Sequence, residues 1–253
     1  MNRSKLYAVL RARDSGVFGT SLSQGQVDGI EGILNAFLTH GDSRAKTLAY
    51  GLATARREVG SGMQPVREGF AKSDKAARAY VAKNYPNKSY SKPKPPYGHV
   101  YYGRGLVQLT HDHNYAAAGI LDNPDIALQP EWAARYLFTG LLDGRWNGAG
   151  KGIAHYLPTS GPDDLKNARR TVNVTDHWQE IAGYYKAFLA AIEAAGGVPK
   201  PAQPQPPVRP VPAAPAPKPA PKPQTRPTPA PVAKGWIAAL IEAILKLFGR
   251  KKP

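Results

Sequence analysis

The 253-residue chain contains no cysteine, which excludes a disulfide framework and any thiolate metal site. It has no apolar run of the roughly eighteen residues that a membrane span requires. Its first residues, MNRSKLYAVLRARDSG, are basic but hold no apolar stretch long enough for a secretory signal. The six histidines include the pair His111 and His113, but none stands at zinc-ligand spacing, so no metal and no other cofactor is expected. Negative charge is scarce: 18 Asp+Glu against 34 Lys+Arg leave a formal charge of +16. Neither a nucleic-acid module nor arginine-rich recognition spacing accompanies that charge. An acidic wall polymer or an anionic membrane therefore ranks ahead of nucleic acid as partner.

Charge and proline are unevenly spread. Residues 1–197 carry 24 basic and 17 acidic residues, a balance of +7, whereas residues 198–253 carry ten and one, a balance of +9. Fifteen of the 37 residues from Val198 to Lys234 are proline. A tract such as PAAPAPKPAPKP cannot build a packed core and predicts a stiff, extended linker over 198–234. The remaining stretch, 235–253, reads GWIAALIEAILKLFGRKKP and predicts a cationic amphipathic helix. Trp236, Leu240, Ile244 and Phe248 share its broad apolar face. Lys246 pairs with Glu242 on the polar side, and Arg250 and Lys251 follow. Trp236 to Phe248 would span about 20 Å as a helix, short of a hydrocarbon core of roughly 30 Å, so the segment suits a membrane interface. Docking back on the domain or self-association is the alternative.

Residues 1–197 read as mostly helical with little strand signal. Helical spacing of apolar residues predicts helices over Ser4–Arg13, from a Ser21 or Ser23 cap to about His40, and from an Asp42 or Ser43 cap to about Glu58. Further helices are expected over Ser73–Lys83, from Pro130 through Leu141, and from a Thr175 or Asp176 cap to Ile192.

The third helix carries the first chemical signal. Gly51, Thr54, Ala55 and Glu58 fall near one another on one face, where mostly small side chains would leave room above the backbone. Gly60 and Gly62 end the helix, so Glu58 sits at the negative end of the macrodipole, where a carboxylate charge is disfavoured. Glu68 lies beyond the break, free to face it across a cleft. Two separated carboxylates are what hydrolysis of a glycosidic bond needs, one to protonate the leaving oxygen and one to activate water. A solvated, structural Glu58 is the competing interpretation. Further along, the loop NYPNKSYSKPKPPYGHV offers three tyrosines and three lysines, either as a groove wall for a sugar polymer or as solvated surface. Trp146 is a sugar platform or, more simply, core.

In YYGRGLVQLTHDHNY, Gly103 and Gly105 permit close backbone approach, and Gln108 and Thr110 alternate with Val107 and Leu109. This segment resembles the YYGRGPIQLTxNYNY signature of the family 19 glycoside hydrolases, the chitinase-like enzymes. ATARREVGSGMQPVRE is similar to the ATAYHETGxTMQPVRE variant of the bacterial and phage branch, which includes many endolysins. VDGIEGILNAF, NARRTVN and IAGYYKAFLAAI extend the resemblance over roughly residues 2–195.

The resemblance implies a lysozyme-like α-helical hydrolase domain with Glu58 as general acid and Glu68 as general base. Thr110 would help to hold the attacking water, and Tyr102, Arg104, Gln108, Asn114 and Asn173 would contact substrate. Two positions depart from the pattern: Arg57 stands where the family usually has histidine, and His113 where it tends to have tyrosine. The expectation is a monomeric endolysin made in a host cytoplasm, cleaving peptidoglycan after release to the wall. Its tail would meet an anionic membrane or lipopolysaccharide. A chitinase acting on chitin oligomers is one alternative, and a non-catalytic wall-binding or membrane-active protein is another.

Overall fold

The computed structural model describes residues 1–148 and 150–200. The tail residues expected to meet a membrane (Trp236, Leu240, Ile244, Lys246, Phe248, Arg250 and Lys251), and all of the expected linker beyond Lys200, lie outside the described residues.

The described chain is mostly helical and is built around one buried helix. α1 (Arg3–Leu10), α2 (Gln24–His40), α3 (Ala45–Glu58), α4 (Asp74–Asn84), α5 (Asp112–Ala117), α6 (Pro130–Asp143), α7 (Ile153–Tyr156), α8 (Leu165–Ala168) and α9 (Trp178–Ala194) follow in chain order. Every residue of α3 from Thr47 to Ala55 is buried. α3 packs against α9 and α6, α2 lies on α6, and α1 lies on α9. Small residues make this close approach possible. A Cβ at Gly51 would stand 2.8 Å from Phe138 Cε1 of α6, so only glycine fits there. Aromatic edges fill the layers, with Phe37 and Phe138 rings 5.1 Å apart and Tyr50 and Tyr185 rings 6.0 Å apart. The room expected above the small residues of α3 is therefore filled by packing. Gly51, Thr54 and Ala55 are packed under neighbouring helices, and only Glu58 at the helix end reaches the site.

Local chemistry explains the helix starts. Ser23 closes a capping box with Gln26 at the head of α2, and Ser73 accepts the Ala76 N–H at the head of α4. At α3 the expected cap is displaced. Arg44 occupies the N-cap position, and Asp42 accepts hydrogen bonds from the Arg44 N–H and the Thr47 hydroxyl instead. α9 begins at Trp178 with His177 at its N-cap, making no side-chain cap, in place of the expected Thr175 or Asp176.

The described strands are two residues each: β1 (Val66–Arg67) pairs antiparallel with β2 (Arg104–Gly105), with Val66 opposite Gly105 and Arg67 opposite Arg104. This short ribbon joins the chain after α3 to the Gly-Arg-Gly segment. Gly105 is required there, because its φ is +82° and a Cβ would meet Ala127 O at 2.4 Å.

Candidate active site

One cavity of about 470 Å³ collects most of the chemically suggestive side chains. Its walls include Glu58 from the end of α3, Glu68 just after β1, Gln108 and Thr110 after β2, Asn114 from α5, and Asn173.

Glu68 is held by reciprocal bonds to one residue. Its N–H donates to Gly103 O at 2.8 Å, and its Oε2 accepts the Gly103 N–H at 2.8 Å. Burial pushes its carboxyl above the ordinary glutamate range, partly offset by that N–H and by the Arg104 charge. Glu58 is held differently, by an ion pair with Arg169 Nη2 at 2.7 Å. The Arg169 side chain is 2% exposed, and its Nε also reaches Asp176 Oδ1 at 3.3 Å. Tyr50, Thr54 and Glu58 succeed one another at i, i+4 and i+8 on α3. The buried Tyr50 hydroxyl and Thr54 Oγ1 have no protein partner among the described residues, and neither does Arg169 Nη1.

Arg57, the departure from the family pattern, turns away from the site. Its Nε pairs with Glu180 Oε2 of α9 at 3.0 Å. Neighbours on a helix point about 100° apart, so adjacency in sequence does not bring Arg57 onto the Glu58 carboxylate.

The polar residues after β2 are fixed by the backbone around them. Gln108 has a φ of +50°, and its amide Nε2 donates to Val66 O and Gly105 O at 3.1 and 3.0 Å. The Thr110 hydroxyl donates to Gln108 O at 2.7 Å, which leaves its oxygen free to accept a hydrogen from water. Asn114 Nδ2 donates to Thr110 O and Trp146 O at 2.8 and 3.0 Å, tying two walls together. Asn173 Oδ1 accepts the Val174 N–H, and its Nδ2 reaches Asp176 Oδ2 at 3.3 Å, so it orders the turn that meets Arg169.

Two expected substrate contacts lie elsewhere. Tyr102 is fully buried and donates its hydroxyl to Asp74 Oδ1 at 2.8 Å. Arg104 is 2% exposed, pairs with Asp125 at 2.9 Å and Asp74 at 3.2 Å, and stacks its guanidinium 3.6 Å from the Tyr102 ring centroid. A buried guanidinium must spend its donors on protein partners. These two residues are thus support beneath the ribbon rather than cavity lining. Asp125 also takes Arg67 Nη2 at 2.6 Å, so one carboxylate clamps both strands, which Glu68 and Gly103 flank.

The sequence does not single out several residues in or beside the cavity. Arg169, which holds Glu58, lies within NARRTVN, but nothing local separates it from Arg170. Val172 and Asn147 carried no signal; Asn147 Nδ2 donates to the Arg170 and Asn173 carbonyls at 2.9 and 2.6 Å. The Tyr/Lys-rich loop divides: Tyr85, Lys88 and Tyr90 line the cavity, whereas Tyr97 is 52% exposed and stacks on His99. Trp146 is core, 7% exposed with its indole N–H donated to Tyr136 O at 2.7 Å, and it also borders the cavity.

No protein family and no curated protein matches the chain. Among solved structures, it is similar to a chitinase C from Streptomyces griseus, with 17% identity over 79% of this chain and 78% of that one and a TM-score of 0.41. At that identity and TM-score the likeness is too distant to carry an activity across.

Proposed function

We propose that the protein is a glycoside hydrolase that cleaves β-1,4 bonds between amino sugars by inversion, with peptidoglycan as substrate. The observation that carries this reading is the convergence of Glu58 and Glu68 on one cavity with the Thr110 hydroxyl between polar walls. In the proposed reaction Glu58 donates a proton to the leaving oxygen. Glu68 takes a proton from a water that Thr110 orients, and that water attacks the anomeric carbon from the opposite face. Gln108, Asn114 and Asn173 border the sugar. Inversion calls for carboxyl groups about 6.5–9.5 Å apart, with room for the water between them.

The electrostatics favour a second assignment of roles on the same pair. Glu68 is the carboxyl that burial pushes up, and Glu58 is the one paired with Arg169. In that version Glu68 is the acid and Glu58 the base. Aryl glycosides with activated leaving groups separate the two, because a good leaving group needs no acid. Such a substrate should restore turnover in the variant lacking the acid and leave the variant lacking the base impaired. Either way Glu58→Gln should fold normally and lose about 10²–10⁴ in turnover on the natural bond. Near-normal turnover would remove Glu58 from the chemistry.

The endolysin role is part of the proposal: synthesis in a host cytoplasm, action at the wall, and a C-terminal helix that meets an anionic membrane. Hydrolysis of chitin oligomers is the alternative, as is a wall-binding protein without activity. Mass analysis of fragments released from purified peptidoglycan tests all three. New reducing ends on one amino sugar support the reading, cleavage of chitin alone favours the alternative substrate, and no release from either favours the binding protein.

A further inference from the structure

Beyond Glu68 the cavity changes character. Tyr85 and Tyr90 stand beside Lys88 and His111 in the same wall. Tyr90 meets the His111 ring edge-on at 5.2 Å, and His111 stacks on His113 at 5.3 Å. His111 holds φ at +75°, a conformation unusual for a side chain of that size, and its N–H is bonded to Tyr101 O at 2.9 Å. Its ring lies in the cavity wall, packed against Tyr90 and His113.

The charged side chain that shares this wall with the ring is cationic. It is Lys88 of the Tyr/Lys-rich loop, which makes no ion pair among the described residues. His113 faces it from α5. Asp112 is the opposing charge, and it lies 3.9 Å from His113 Nδ1. A neutral sugar polymer gives this corner nothing to pair with, while the other side of the cavity already holds two carboxylates.

We propose that the corner formed by Lys88 and His111, with His113 stacked on the His111 ring, binds a carboxylate carried on the amino sugar, making the site selective for an acid-substituted polymer over a neutral one. This rests on the sugar-polymer reading of the cavity given above. Charge-assisted hydrogen bonds from Lys88 Nζ and a His111 ring nitrogen supply the recognition, and Tyr90 keeps the ring in place. Burial, and after it the neighbouring charges, hold His111 below its ordinary range. A bound carboxylate favours the protonated ring, so selectivity rises as the pH falls.

The test is binding to the full chain carrying Glu58→Gln, so that no turnover is needed. The probes are chitin oligomers with no carboxylate, peptide-free glycan strands with a free lactyl carboxylate, and muropeptide strands whose carboxylates lie on the stem peptide. The carboxylate-bearing strands should bind more tightly than chitin. Adding Lys88→Met or His111→Asn, the latter tolerant of positive φ, should cut that preference about tenfold. The parent's preference should also strengthen from pH 7.5 to 5.5, and this trend should be lost in His111→Asn. The strand that loses most identifies whether the lactyl or the peptide carboxylate is the ligand. Equal losses on chitin and on both acidic strands, or no preference in the parent, would overturn the inference. Failure of hydrolysis alone would instead count against the catalytic reading, because binding is measured separately.

Discussion

Glu58 and Glu68 line one cavity from different environments, one in an ion pair with Arg169 and the other half-buried against Gly103. The raised carboxyl of Glu68 has a consequence for stability. Over a window above the ordinary carboxyl range, the folded chain keeps a proton that the unfolded chain has lost. The unfolded state then binds fewer protons, so stability falls as the pH rises through that window. The cost is present at neutral pH and relieved at acid pH. Glu68→Gln keeps an oxygen for the Gly103 N–H, so it should raise Tm at pH 7 and change it much less at pH 4. Thermal unfolding at the two values checks this, and a lower Tm at pH 7 would contradict it. Arg104 behaves oppositely. Arg104→Met strands Asp74 and Asp125, both roughly half-exposed, and should cost about 3 kcal/mol, the low end for breaking a buried pair. Chemical denaturation should show a lower midpoint with unchanged slope. The family resemblance implies substrate contact for Tyr102 and Arg104, but both are buried. Their burial depends on Asp74 and Asp125, 30 and 21 residues from Arg104, which no local pattern links to it.

The helices were the most legible elements, because apolar spacing and Ser caps act within a few residues. α2 and α4 start where Ser23 and Ser73 place them. The face of α3 is illegible for the opposite reason: small residues leave room in a sequence pattern, but Phe138 of α6 fills it. The cavity depends on the two-residue ribbon, which positions Glu68 through Gly103. Its weakest substitution point is Gly105. Gly105→Ala adds a Cβ against Ala127 O at a positive φ, so it should destabilise the fold by about 2 kcal/mol or more and displace β2. Activity should fall together with amide-exchange protection at Arg104 and Leu109, whose backbones bond each other at 3.2 and 2.8 Å. Full activity with intact protection would remove the ribbon from its positioning role.

At the scale of the whole molecule, the proposed catalytic chemistry lies in residues 1–197 and more than half of the net charge in 198–253. Each basic residue near an anionic surface contributes about 1 kcal/mol before screening, so removing 198–253 should weaken lysis of intact Gram-negative cells. It should spare hydrolysis of purified peptidoglycan. Full chain and truncation, compared on both substrates at two salt concentrations, test that division of labour; equal killing of intact cells would leave the tail without a membrane role. Proton NMR in the first minutes of hydrolysis reads the anomer of the new reducing end before it equilibrates. Two carboxylates that activate a water across the cavity predict that the α anomer appears first from a β-linked polymer. First release of the β anomer would contradict the proposed mechanism.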